Sequence, residues 1–215
     1  MRKDIIKDWA DKNEIIINDK QFELLKAFQR EVLQVNEVMN LTSITDDAEF
    51  AVKHIIDSMT LLPFIKTGVS LIDVGTGAGF PGVVLRIMRD DIHVTLLDSR
   101  QKRIRFLDET LKKLEITNVE LVAERAEDFA KTGIRFDVCC ARAVAPLKKL
   151  IPYTLPLLES GGTLLAMKGF DVQNEVNEAE KILKKYDAKV KEVSAVKISN
   201  DIKHTVIEIG RNILQ

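Results

Sequence analysis

The chain has few of the residues that would point to a disulfide framework, a metal centre or a membrane span. Its 215 residues include only two cysteines, adjacent at Cys139 and Cys140 in an apolar run, and three histidines far apart in sequence. The cysteine pair predicts buried strand residues in a reducing compartment, and the lack of metal-ligand spacing predicts no metal. No apolar run reaches the length of a membrane span, and the first residues lack a signal-peptide core. We therefore expect a cytoplasmic protein with no membrane contact.

The chain also lacks a strong net charge, which is −1 at pH 7, so its total charge does not point to nucleic acid. The distribution is more informative: residues 99–113 hold six basic and two acidic residues, whereas residues 1–66 hold nine basic and twelve acidic ones. A basic helix edge beside a cleft suits a phosphate-rich substrate. An ordinary solvated helix face is the alternative interpretation.

Glycine is sparse, at ten residues, yet four glycines fall within the eight residues 75–82. They follow an apolar run at 69–72 and Asp73, and a helix-compatible pattern continues over 83–88. A strand, a glycine turn and a helix form the first half of a nucleotide-binding crossover. Glycine permits positive φ and close approach of a ligand to the backbone, and the helix begins with free N–H groups that point at that ligand.

Two cofactor classes compete for this loop. Gly77-Ala-Gly79-Phe-Pro-Gly82 matches the dinucleotide pattern G-x-G-x-x-G, which favours an NAD-dependent oxidoreductase. Asp73 followed by alternating glycines is instead typical of methyltransferases that use S-adenosylmethionine (SAM). An acid at position 73 would repel a pyrophosphate but attract the methionine ammonium or sulfonium, so the segment favours SAM and NAD remains the alternative.

The ends of the next two strands carry further candidates. Asp98 ends the second predicted strand, where it can accept both ribose hydroxyls or cap the following helix. The third strand leads to Glu127, which can accept from an adenine amino group with Ala126 or Phe129 near the ring. A solvated acidic turn explains Glu127 equally well.

Alternating strand and helix patterns after residue 69 predict an α/β fold with a largely parallel sheet. We expect residues 1–66 to form a helical N-terminal extension and residues 67–215 the main domain. The last two strands have no helix between them, which predicts an antiparallel hairpin and a seven-stranded, Rossmann-like class I methyltransferase sheet. The predicted strands are 69–73, 93–98, 119–123, 136–141, 162–168, 189–196 and 203–209, and the predicted helices after residue 66 are 81–89, 100–114, 146–158 and 171–186.

The motifs together resemble the RsmG (formerly GidB) family of bacterial small-subunit ribosomal RNA methyltransferases. The resemblance runs from about residue 20 to the C-terminus and rests on these segments: Asn40-Leu-Thr42, His54-Ile-Ile-Asp57-Ser58, Asp73 to Gly82, Leu96 to Arg103, Phe106-Leu107, Arg125-Ala-Glu127, Ala141 to Ala145 and Lys168-Gly169. It implies methyl transfer from SAM to N7 of a guanine in the 530 loop of 16S rRNA, with SAM contacts at Gly75, Phe80, Ala126, Glu127 and Arg142. We expect a monomer that acts on 16S rRNA, the small subunit or its precursor. A non-catalytic RNA-binding module on the same fold is a further alternative.

The expected chemistry fits the candidate residues. Guanine N7 has a lone pair and no proton, so methylation needs no general base. Arg142 ends the fourth strand, where it can hydrogen-bond the cofactor or guanine O6 or form a structural salt bridge with Glu127 or Asp98. We expect Arg142 to be catalytic. The expected cofactor contacts are Asp73, Gly75, Gly77, Gly79, Phe80, Asp98, Ser99, Ala126, Glu127 and Arg142, and the expected substrate contacts are His54, Arg100, Arg103 and Lys168.

Overall fold

A seven-stranded sheet in the order β3-β2-β1-β4-β5-β7-β6 forms the centre of the molecule. The computed structural model describes residues 1–169, 171–199 and 202–212. Strands β1 to β5 run parallel, and β7 lies antiparallel between β5 and β6. The strands are β1 (Ser70–Val74), β2 (His93–Leu97), β3 (Val119–Val122), β4 (Phe136–Arg142), β5 (Leu158–Lys168), β6 (Ala188–Lys197) and β7 (Lys203–Arg211). The predicted sheet with its antiparallel hairpin is confirmed; the hairpin's connection includes positions 200 and 201, which lie outside the described residues.

Helices cover both faces of the sheet because successive strand residues point to opposite sides. Leu71 of β1 belongs to one apolar core and its neighbour Ile72 to the other. The helices are α1 (Lys3–Lys12), α2 (Asp19–Met39), α3 (Asp47–Phe50), α4 (Asp57–Met59), α5 (Gly82–Met88), α6 (Gln101–Lys113), α7 (Ala126–Phe129), α8 (Leu147–Thr154) and α9 (Gln173–Lys185). Among the described helices, none is long and apolar enough to span a bilayer.

The N-terminal helices share the core that lies against α5 and α6. Asn18 starts α2 with a capping box, accepting from the Gln21 amide while the Gln21 side chain accepts from the Asn18 amide. Farther along α2, Phe28 is fully buried and packs on Phe80, with ring centroids 5.3 Å apart. The extension therefore covers the back of the glycine loop.

Two element boundaries differ from the sequence-based predictions. The helix predicted over 146–158 ends at Thr154 and is followed by a 3₁₀ turn over Leu155–Leu157, because Pro156 has no amide hydrogen to continue an α-helix. Strand β5 consequently begins at Leu158, four residues before the predicted start. Within the predicted helical region 1–66, a π-helical segment covers Ala51–Ile56, between α3 and α4, which an apolar periodicity does not reveal.

Candidate functional site

Two cavities open beside the carboxyl ends of the parallel strands, where open α/β sheets bind ligands. The first, of about 330 Å³, lies over the ends of β1, β2 and β4, and the second, of about 420 Å³, lies between β4, β5, β7 and the N-terminal helices. Arg142 and Ala143 line both cavities. The two cavities therefore adjoin each other at these two residues.

Asp98 stands at the end of β2 and lines the first cavity, as predicted. Its Oδ2 accepts from the Gly77 amide at 3.1 Å and from Arg103 Nη1 at 2.9 Å, and its Oδ1 accepts from the Arg100 amide at 2.8 Å. The carboxylate is buried and tied to the glycine loop and to the start of α6 at once. Arg103, which was predicted to contact the substrate, thus forms a salt bridge with Asp98.

Other predicted cofactor contacts gather around the same cavity. Its lining includes four of them, Gly75, Ser99, Ala126 and Glu127, together with Arg100, which was predicted to contact the substrate. Gly75 adopts a φ of +75°, and a Cβ built there would lie 2.9 Å from Val144 Cγ2. The turn therefore requires glycine for its backbone angle, and the loop after β4 packs directly on it.

Two further predicted cofactor contacts around the glycine loop, Asp73 and Gly79, are buried and are not among the residues that line the first cavity. Asp73 is fully buried, and its Oδ2 accepts from the Gly82 amide at 2.9 Å. Burial raises the pKa of Asp73 to about 6, partly offset by that hydrogen bond. A Cβ at Gly79 would meet Val83, Phe28 and Leu107 at 2.8–3.0 Å. Asp73 and Gly79 therefore stabilise the loop from inside.

Phe80 is also buried and contributes to the wall of the second cavity through His54. The two rings are stacked, with centroids 4.4 Å apart and an interplanar angle of 6°. Arg142 lies over the Phe80 ring at 5.4 Å from its centroid, within the range of a cation–π contact. Phe80 thus positions His54 and Arg142 in this structure.

His54 lines the second cavity as predicted, and it is neutral. Its Nδ1 lies 3.2 Å from Arg142 Nη2 and its Nε2 lies 2.8 Å from Thr42 Oγ1. Since a guanidinium only donates, Nδ1 must accept and Nε2 carries the proton. Burial, and secondarily the charge of Arg142, lower the pKa of His54 to about 3. A proton-bearing role for Nδ1 is therefore disfavoured.

Arg142 forms its salt bridge with Asp57, and not with Glu127 or Asp98 as the sequence analysis considered. Arg142 Nη1 lies 3.0 Å from Asp57 Oδ2 and donates to the Lys53 carbonyl oxygen, also at 3.0 Å. Both partners come from the N-terminal helices. Arg142, the residue predicted to be catalytic, is thus held in place by the N-terminal extension.

Lys168 lines the second cavity, but its ammonium group is already bound. Nζ donates to the Ala145 carbonyl oxygen at 2.5 Å and to Glu175 Oε1 at 2.6 Å. Glu175 Oε1 also accepts from the Leu147 amide. Lys168 therefore secures the loop between β4 and α8, and its contact with an RNA phosphate stays a prediction.

Several lining residues escaped the sequence analysis because only tertiary packing brings them to the site. His204 starts β7 and lies 2.5 Å from Asp57 Oδ1, although the two residues are 147 positions apart. Tyr153 of α8 and Val144 line the first cavity. Ala143 adopts a φ of +52°, which is uncommon for alanine and marks a strained backbone of the kind found at functional sites.

The first cavity fits an adenosyl group by the chemistry of its side chains. The Asp98 carboxylate at the tip of β2 can accept from ribose hydroxyls, and Glu127 can accept from an amino group. Gly75 leaves the space that a Cβ would take against Val144. Asp98 and Glu127 thus supply carboxylate acceptors in a cavity whose lining also holds four arginines, Arg100, Arg103, Arg125 and Arg142.

Comparison with known proteins identifies relatives across most of the chain. The model of one family, GidB, described as rRNA small subunit methyltransferase G, matches residues 21–206. A ribosomal RNA small subunit methyltransferase G of Thermoanaerobacter sp. (strain X514) is 38% identical over 211 residues, which cover 95% of this chain and 86% of the relative. The protein of the same name from Desulfitobacterium hafniense (strain Y51) is 40% identical over 196 residues, covering 90% and 82%.

Solved structures agree on the fold. M. jannaschii TYW2 in complex with AdoMet superposes with a TM-score of 0.60 at 15% identity, covering 74% of this chain and 76% of the other. Precorrin-6y C5,15-methyltransferase from Geobacter metallireducens GS-15 gives a TM-score of 0.53 at 17% identity, covering 72% and 85%. At such low identity the likeness establishes the Rossmann-like methyltransferase fold alone.

Proposed function

Because the chain belongs to the GidB family of rRNA small subunit methyltransferase G proteins, we propose that it transfers a methyl group from SAM to N7 of a guanine in the 530 loop of 16S rRNA. The observation that carries the proposal is the pair of cavities that share Arg142 and Ala143. One cavity has the acceptors for an adenosyl group, and the other opens toward the N-terminal helices, where a base can enter.

In the first cavity, Asp98 would accept from the ribose hydroxyls, while Ala126 and Glu127 would contact the adenine. SAM supplies an electrophilic methyl group when it is bound. The protein's contribution is then to hold that group and the guanine in line at near-attack distance, a positioning effect that can account for a large part of a rate enhancement. Arg142, which borders both cavities, is the residue that can contact both ligands.

The second cavity supports an acceptor that needs no deprotonation. Every histidine and carboxylate among its described lining residues is already engaged: His54 with Arg142 and Thr42, and Asp57 with Arg142 and His204. The low pKa of His54, about 3, keeps it neutral near pH 7. Guanine N7 offers a lone pair at neutral pH, so this arrangement suits it better than a hydroxyl, which would require a base.

Family membership weighs against the NAD alternative, and a transfer assay tests both the proposal and the non-catalytic alternative. The protein is incubated with methyl-labelled SAM and, in parallel, with unmethylated 16S rRNA and with 30S subunits. We expect labelled 7-methylguanosine from at least one substrate, and loss of the label when the guanine in the 530 loop is replaced by adenine. Salt-dependent RNA binding without transfer would instead indicate a non-catalytic module, and label in another nucleoside would contradict the assigned specificity.

A further inference from the structure

The orientation of Arg142 is determined by side chains outside the strand that carries it. Its two terminal nitrogens donate to Asp57 Oδ2, the Lys53 carbonyl oxygen and His54 Nδ1, at 3.0, 3.0 and 3.2 Å. A guanidinium presents its donors in a fixed planar fork, so three acceptors determine the plane of the group. All three belong to one short segment, residues 53–57, of the N-terminal extension.

Part of that segment is π-helical, and this places its acceptors toward Arg142. The π-helix covers Ala51–Ile56 and includes Lys53 and His54, and Asp57 follows it directly. Short π-helical turns inside α-helices occur frequently at functional sites. Here the irregular turn supplies a backbone oxygen and a ring nitrogen to the same arginine.

The Asp57 carboxylate is itself fixed from the opposite side. Its Oδ1 lies 2.5 Å from His204 Nδ1, while His204 Nε2 lies 3.2 Å from Thr60 Oγ1. Thr60 Oγ1 donates its own proton to the Asp57 carbonyl oxygen at 2.6 Å. The carboxylate therefore has no freedom to turn away from Arg142 without breaking a second set of hydrogen bonds.

Asp57 and Arg142 form a largely buried ion pair. The Arg142 and Asp57 side chains are 20% and 13% exposed, so both charges are largely removed from water. Removing one partner of such a pair leaves the other charge buried without its counter-ion, which also lowers stability, so the test of a positioning role must report on Arg142 itself. The clearest consequence of losing Asp57 is a guanidinium that no longer has a fixed position between the two cavities.

We propose that Asp57 is a positioning residue, which holds the Arg142 guanidinium between the two cavities while His204 fixes the carboxylate from β7. The expected effect of Asp57 on kcat rests on the proposed function. It assigns the N-terminal helices a part in building the active site, in addition to covering the core.

Asp57→Asn tests the proposal, with Asp137→Asn as the matched control. Asp137 is a carboxylate near the start of β4, at the opposite end of that strand from Arg142, where it accepts from the Ser70 amide and hydroxyl. We expect Asp57→Asn to lower kcat for 16S rRNA by roughly 10- to 100-fold, the scale of a misplaced reacting group. Asp137→Asn should leave kcat unchanged even where it lowers the unfolding midpoint.

A second measurement does not depend on turnover. In protein labelled with ¹⁵N-arginine, we expect the Arg142 guanidinium protons to exchange slowly with water in the wild type and rapidly in Asp57→Asn. If Asp57→Asn does not fold, the comparison of His204→Asn with His204→Ala tests the positioning role of Asp57. Asparagine can replace the Nδ1 donor to Asp57, so His204→Asn should retain slow exchange and kcat, whereas His204→Ala should lose both.

Failure of this proposal and failure of the proposed function are distinguishable. A folded wild type that transfers no methyl group to guanine would contradict the function, while the exchange measurement would still decide the role of Asp57. Wild-type kcat together with slow Arg142 exchange in Asp57→Asn, or in His204→Ala where the first variant does not fold, would overturn the proposal.

Discussion

The Asp98 carboxylate accepts three hydrogen bonds from its own chain and also lines the first cavity. Its place at the end of β2 follows from the sequence, because an apolar strand followed by an acid has few other arrangements in this fold. The Arg103 contact does not follow, since a basic residue five positions on along a helix fits a solvated face equally well. Local sequence patterns thus predict which residues lie at the site. They predict less well which side chains form hydrogen bonds with one another there.

Replacing Asp98 by asparagine removes the charge while nearly preserving the shape. We expect SAM binding to weaken by about 1–3 kcal/mol, the contribution of hydrogen bonds to a charged group. Titration calorimetry with SAM and with S-adenosylhomocysteine measures this loss. Asp108→Asn, an exposed change on α6 at a residue paired with Lys112, is the control, and equal affinities of the two variants would remove Asp98 from the ribose role.

His54 gives a prediction for the pH dependence of stability. Its pKa is lowered to about 3 in the folded protein from an ordinary value of 6.5, so between these values the unfolded chain binds a proton that the native protein does not. The contribution of His54 to the free energy of unfolding is therefore fully present above pH 6.5 and is lost as the pH falls below that value. Relative to His54→Gln, we expect the wild-type free energy of unfolding to fall by up to about 1.4 kcal/mol per pH unit.

Urea unfolding at several values between pH 4 and pH 6 measures that difference. Asp73, whose pKa is raised to about 6, works in the opposite direction in the same window, but it is present in both proteins and its effect cancels. Parallel stability curves for the wild type and His54→Gln would show that His54 is not buried in its neutral form.

Among the elements, the glycine loop was predictable and the π-helical segment was not. Four glycines after an apolar strand can be interpreted locally, because glycine permits a positive φ and lets a ligand approach the backbone closely. The start of β5 at Leu158 also has a local cause, Pro156, which the predicted bounds overlooked. The π-helix at Ala51–Ile56 has no such local signal. The Asp57–Arg142 and Asp57–His204 pairs, separated by 85 and 147 residues, lie beyond any local pattern.

The glycine loop offers a matched pair of substitutions. Gly75 and Gly68 have φ angles of +75° and +71°, but a Cβ at Gly75 would lie 2.9 Å from Val144 Cγ2, whereas none of the described atoms lies within 4 Å of one at Gly68. Alanine at either site should cost about 1–2 kcal/mol of stability through its left-handed backbone. We expect only Gly75→Ala to weaken SAM binding, because the added methyl group displaces Val144.

Titration calorimetry compares the two variants, and Gly75→Ala combined with Val144→Ala provides the test of mechanism. Removing the valine methyl groups should restore part of the lost SAM affinity. An equal loss of affinity in Gly68→Ala would show that backbone strain, and not contact with Val144, explains the effect.

For the whole molecule, we expect the N-terminal helices and the sheet to unfold as one unit. Trp9, the only tryptophan in the sequence, is buried in α1 and its Nε1 donates to the Lys197 carbonyl oxygen of β6 at 3.3 Å. Residues of α1, α2 and β1 belong to one apolar core. Because unfolding of a shared core is cooperative, we expect tryptophan fluorescence and far-ultraviolet circular dichroism to report the same midpoint in guanidinium. A fluorescence transition at lower denaturant concentration would show that residues 1–66 detach first.

The most direct test of the account is a crystal structure of the protein with S-adenosylhomocysteine and an RNA hairpin that contains the 530-loop guanine. The account predicts the ribose hydroxyls on Asp98 in the first cavity, the guanine in the second with N7 turned toward the cofactor sulfur, and Arg142 beside both. An adenosyl group away from Asp98, or a guanine that approaches from a side other than the second cavity, would contradict it.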